Sequence, residues 1–164
     1  MHIHSLMPNT YRFLLTFLLT VTLSVALSSC DRGAGEEVGV AQKFADAVAS
    51  NDGPRRDSMI ATQKFKEYFQ NPYVASDMLT WFRSFYDYHT HKFLEPATAD
   101  VDYDLSKKLQ GALIDTDKIE ETGMVMVKSP IPGQDAAFFW LVRQKHQPWR
   151  VAVVTKGESE VNFQ

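Results

Sequence analysis

Residues 136–154 read AAFFWLVRQKHQPWRVAVV. The first half is a run of apolar residues that an alternating, half-solvated strand does not need, so it predicts a central strand buried on both faces. His146, Gln147 and Pro148 interrupt it with turn chemistry. Trp149 and Arg150 then open a second strand, 149–156, rich in valine. Strands joined by so short a link are antiparallel neighbours.

The same reading extends upstream. MVMVKS, 124–129, is a strand, and PIPGQ, 130–134, a turn. ALIDTDKIEETG, 112–123, holds a further strand, which makes residues 112–157 an antiparallel sheet. The polar stretch 97–111 is expected to be irregular. Before Pro96 the apolar period changes to that of a helix. Val40, Ala41, Phe44, Ala45 and Val48 form one stripe across 37–51, and Asn51–Pro54 ends it. Residues 54–69 read as one helix or two short ones. A third helix is expected over 76–91, capped by Ser76, with Met78, Leu79, Phe82, Phe85, Tyr86 and His89 on its apolar face. Helices followed by a meander give an α+β domain, with N-terminal helices packed on a curved antiparallel sheet.

The chain has 164 residues, enough for one domain, and 45% of them are hydrophobic. Of its 17 Lys and Arg only Arg12 precedes residue 30, and none of its 20 Asp and Glu does, so the remainder is net acidic. A domain of that charge lacks the basic footprint that nucleic-acid binding requires.

Residues 13–27, FLLTFLLTVTLSVAL, are uncharged and follow Arg12. A run of that length suits a secretory signal, being shorter than the ~20 residues of a membrane-spanning helix. Leu27, Ser28, Ser29 and Cys30 follow, and their order resembles the lipobox of bacterial lipoproteins. The resemblance implies that residues 1–29 are a signal peptide, cleaved before Cys30, and that the Cys30 thiol carries a diacylglycerol. Acyl chains at ~0.8 kcal/mol per buried methylene would anchor the protein in a bilayer. Asp31 resembles the signal that retains lipoproteins in the inner membrane in enterobacteria; the outer membrane is the alternative. Residues 30–37 form the acylated cysteine and a short tether, and 38–164 the periplasm-facing domain.

VAQKFADAVASNDG at the start of that domain and AAFFWLVRQKHQPWRVAVV at its end resemble the nuclear-transport-factor-2-like superfamily. The resemblance implies a cone, a sheet wrapped around helices with a pocket at its open end. Members of that superfamily are isomerases, dehydratases or non-catalytic binding modules. The expected function is a non-catalytic module that binds a small apolar ligand or an envelope protein. The alternative is an isomerase- or dehydratase-type enzyme acting in the cone pocket.

Candidate pocket residues are Tyr68, Trp81, Tyr86, His89, Trp140 and Arg143; aromatic stripes at these spacings also serve as core. Asp87, His89 and His91 in YDYHTH would share one face of a strand, as a metal triad must, but not one face of a helix. No metal is expected there. Asp100, Asp102 and Asp104 resemble a calcium loop, but Leu105 stands where the turn needs glycine and Gly111 where the closing acid belongs. No cofactor is expected, since phosphate loops, nucleophile elbows and CxxC pairs are missing from the sequence. An apolar strand face of Phe138, Trp140 and Val142 offers a further option, a homodimer.

Overall fold

The structure, a computed structural model, describes residues 34–101, 105, 109 and 111–157. Residues 1–33, which include the expected signal peptide, Cys30 and Asp31, lie outside the described residues, as do Asp102 and Asp104. Four helices precede an antiparallel sheet. They are α1 (Ala34–Ala49), α2 (Gly53–Met59), α3 (Gln63–Gln70) and α4 (Pro72–Phe82). Two short strands, β1 (Tyr86–Asp87) and β2 (Lys92–Phe93), form a hairpin. A four-stranded sheet follows, in the order β3 (Ala97–Val101), β4 (Ile119–Val127), β5 (Ala137–Gln144), β6 (Arg150–Lys156). All its pairings are antiparallel, and register shifts at Ile119/Glu121 and Trp140/Leu141 accompany its curvature. This is the α+β arrangement the periodicities predict.

Four boundaries differ from the sequence reading. Helix α1 begins at Ala34, so residues 34–37, read as tether, are its first turn. Glu36 and Glu37 suit that end of the helix, where backbone N–H groups are unpaired. The expected helix over 76–91 runs instead from Pro72 to Phe82, with Asn71 rather than Ser76 as its cap; the Asn71 side chain accepts a hydrogen bond from the Tyr73 N–H. Proline at the first position is already shaped for a helix start. Beyond Phe82 the chain leaves the helix because Asp87 draws it into a turn. Its carboxylate accepts hydrogen bonds from the His89 N–H and the Thr90 hydroxyl, and Tyr86 then pairs with Phe93 across the hairpin. The stretch expected to be irregular supplies an edge strand, β3, paired from Ala97 to Val101 with Val127 to Gly123. Lastly, the two strands read in 112–129 are one continuous β4.

Residues 54–69 form two short helices, and the link between them is anchored. Ile60 bridges to Val151, the Ala61 N–H donates to the Val151 carbonyl, and the buried Thr62 hydroxyl donates to the Ala152 carbonyl at 2.7 Å. Thr62 also caps α3 by accepting from the Phe65 N–H. This link covers the outer edge of β6, an edge that would otherwise invite pairing with another chain.

Strand β5 is buried from Ala137 to Val142, as its apolar run predicts. Between the helices and the sheet lies a cluster of aromatic rings. The Phe44 ring sits 5.9–6.5 Å, centroid to centroid, from Phe65, Phe69, Phe82 and Phe139. Phe139 in turn meets Phe85 and Phe93. Most of these contacts are tilted or edge-on, arrangements worth about 0.5–1.5 kcal/mol each beyond burial. Phe138, Trp140 and Val142 are also buried within the chain, so they present no exposed apolar strand face to a second copy.

Candidate functional site

Helix α1 has two faces. Residues two apart on a helix point about 200° away from each other. Phe44 therefore enters the aromatic core while Asp46 turns away from it. Gly39, Gln42, Lys43 and Asp46, at i, i+3, i+4 and i+7, form the second stripe. They line one wall of a cleft of about 240 Å3. Arg55 of α2, Tyr86 of β1 and His91 of the β1–β2 turn complete it.

Asp46 is the hub. Its Oδ2 accepts a hydrogen bond from Arg55 Nη1 at 2.9 Å, and its Oδ1 pairs with His91 Nδ1 at 2.7 Å. Burial opposes the charge on this carboxylate. The His91 and Arg55 hydrogen bonds, with Tyr86 beside it, outweigh burial and hold Asp46 below the ordinary carboxylate range. Because an ionised carboxylate only accepts, Nδ1 of His91 carries the proton between them and Nε2 is left for other partners.

The local backbone serves this contact. Asp52 caps α2 through the Arg55 N–H at 3.1 Å, which fixes the start of the helix that presents Arg55. His91 sits in the left-handed region, φ 55°, where a residue with a Cβ is disfavoured. Its carbonyl accepts a hydrogen bond from the Gln42 side chain, and its ring bonds Asp46, so α1 holds the residue on both sides.

Tyr86 is 2% exposed, and its hydroxyl has no hydrogen-bond partner. Burial first, and then the neighbouring Asp46 charge, raise its pKa and keep the phenol protonated. The acceptor beside it is the Asp46 carboxylate, near enough to act on the phenol but outside hydrogen-bond geometry. Gly39 is the second opening. An added Cβ there would meet nothing within 4 Å, so packing does not demand glycine. Glycine inside a helix costs about 1 kcal/mol relative to alanine.

Of the candidate pocket residues, the structure brings only Tyr86 to this cleft. Trp81 and Trp140 are buried, the latter donating from Nε1 to the Thr155 hydroxyl at 3.0 Å. Tyr68 is partly exposed and packs edge-on against Phe65. His89, expected at the edge of the core, is exposed in the hairpin turn with its ring 3.9 Å from that of Tyr88. Arg143 pairs with Glu121 and, at 3.7 Å, with Glu36, and its guanidinium lies over Trp149. Near that end Glu37 is buried with one carboxylate oxygen unpartnered, and burial raises its pKa. Asp87, His89 and His91 do not converge: Asp87 closes its own turn, and His91 turns to Asp46. Among the described residues no group of three or more His, Cys, Asp or Glu is placed to hold a metal ion, and no helix is long and apolar enough to cross a membrane.

Sequence reasoning named the apolar stripe of α1 and missed its complement. The spacing 39, 42, 43, 46 was there to read, but a polar helix stripe is ordinarily a solvated face. What makes this one a site is a hairpin 40 residues further along, and spacing within the helix carries no trace of it. No protein-family profile, curated protein or solved structure matches the chain.

Proposed function

We propose that the protein is a lipoprotein of the bacterial cell envelope, anchored through acylated Cys30 and facing the periplasm, whose domain binds a ligand rather than transforming one. The lipobox order at 27–30 supports the anchor. A long first helix against a curved antiparallel sheet supports the resemblance to the nuclear-transport-factor-2-like superfamily. One observation carries the binding reading. The space between the helices and the sheet is filled by Phe44, Phe82, Phe85 and Phe139, each at most 1% exposed. The polar groups that converge do so in a surface cleft instead. On this reading the ligand site is the cleft on the far side of α1 rather than the inside of a cone. Helix α1 starts four residues after Cys30, so an acylated Cys30 would keep this cleft a short chain length from the bilayer.

Catalysis is the second reading, and the Asp46–His91 pair favours it, since a carboxylate that orients an imidazole leaves Nε2 free to move a proton. It ranks second because Arg55 shares the carboxylate and the His91 side chain is 69% exposed, which leaves the imidazole in water. Mass spectrometry of the native membrane fraction tests the anchor: the expected species begins at a diacylglyceryl Cys30. Retention of residues 1–29, or an unmodified Cys30, contradicts it. Turnover of any small molecule that His91→Ala removes without unfolding the domain would exchange the two readings.

A further inference from the structure

On the reading of the cleft as a ligand site, we infer that what it binds is an oxyanion, a phosphate or carboxylate group, held by Lys43, Arg55 and the Tyr86 hydroxyl. The cleft's charges point one way. Lys43 and Arg55 are cationic, and Asp46 is the one acid among the lining residues. That acid is already spent, with one oxygen on His91 and the other on Arg55. A cationic ligand would find no open carboxylate. An anion would find three kinds of donor.

Among the described residues each of those donors keeps hydrogen-bonding capacity for a ligand. Arg55 uses Nη1 for Asp46, and among the described residues its other guanidinium nitrogens have no hydrogen-bond partner. Lys43 is exposed and forms no ion pair among the described residues. The Tyr86 hydroxyl is buried and makes no hydrogen bond of good geometry, with only the already shared Asp46 carboxylate beside it, although a buried polar group ordinarily finds a partner. A ligand oxygen supplies one. Gly39 leaves the α1 wall low, so that a tetrahedral or planar oxyanion reaches the groups behind it. This cationic cleft occurs on a chain of net charge -3, so it is not a by-product of overall composition.

The volume of about 240 Å3 suits a headgroup or small metabolite. No aliphatic residue is among those that line the cleft. Two sources of the same chemistry remain, a free phosphate or carboxylate compound and the phosphate of a lipid headgroup.

Calorimetric titration of the full chain in neutral detergent with inorganic phosphate and with acetate, at constant ionic strength, tests the inference. Saturable binding of at least one is expected. Lys43→Gln should weaken it at least fivefold; as Lys43 is exposed and without an ion pair, unfolding cannot explain the loss. Gly39→Leu should abolish it while the melting temperature stays level or rises. Competition by glycerol phosphate but not by phosphatidylglycerol vesicles identifies a free compound, and the reverse identifies the headgroup; both support the oxyanion class. Absence of saturable binding to either anion by the folded chain overturns it, as does binding indifferent to both substitutions. A neutral or cationic compound whose binding is lost in Gly39→Leu but unchanged in Lys43→Gln overturns the oxyanion class alone and leaves the cleft as the binding site.

Discussion

The two faces of α1 solve opposite problems with the same helical geometry. On one side Phe44 is fully buried among four other phenylalanines. Around that ring the packing is aromatic, and stability comes from area removed from water and from ring contacts. On the other side, two residues on, Asp46 is nearly as buried but is held by Arg55 and His91. There a charge is tolerated because its partners match it. The first face fixes where the helix lies on the sheet. The second ties α2 and the β1–β2 hairpin to that helix and leaves a cleft between them. On the proposed binding reading, a protein that fills its interior with rings meets its ligand elsewhere, and the charged face of α1 is where this one has donors to offer.

The contrast breaks most visibly at Phe44. Phe44→Ala removes the ring at the centre of the cluster and is expected to cost about 3–5 kcal/mol, as buried aromatic truncations do. Urea melts of wild type and variant give the difference. A loss below 1 kcal/mol would mean that the rings do not carry the fold.

Asp46→Asn should cost less, about 1–2 kcal/mol, because Arg55 and His91 are partly solvated and recover water when the carboxylate is lost. The pH dependence supplies the sign. With its folded pKa below the ordinary 3.8 of an aspartate, Asp46 contributes stability that is full above that value. The contribution is lost as pH falls through the lower, folded value. Wild type and Asp46→Asn should therefore converge in acid and separate toward neutrality. Parallel curves between pH 2 and pH 7 would show that the clasp adds nothing.

The first of these faces was legible in the sequence and the second was not. Ala41, Phe44, Ala45 and Val48 announce themselves by period, and β5 by its unbroken apolar run. The end of α4 was hidden because Phe85 and Tyr86 continue a helical spacing by coincidence. It takes the Asp87 side chain, bonding two residues ahead, to end it. Strand β3 was hidden because polar residues such as Thr98 and Asp100 make a poor strand signal, and an edge strand needs no better one. Asp46 was invisible as a site residue because its partners are 9 and 45 residues away.

The smallest expected effect sharpens the comparison at His91. His91→Ala keeps the left-handed backbone under strain and loses the Asp46 bond. His91→Gly loses the same bond but relieves the strain, worth about 1 kcal/mol. Thermal melts should rank wild type and glycine within about 1 kcal/mol of each other and alanine below both. Equal alanine and glycine variants would mean that the turn tolerates its geometry without help from α1.

The division of labour across α1 is tested most directly by amide-resolved NMR of the folded chain titrated with inorganic phosphate. The expected shifts cluster at Gly39, Gln42, Lys43, Asp46, Arg55 and His91, while the amides of Phe44, Phe82, Phe85 and Phe139 follow only weakly. Shifts concentrated instead at Trp81, Phe85 and 138–142, with the α1 polar stripe unmoved, would place the ligand inside the aromatic core and contradict the assignment of binding to the cleft.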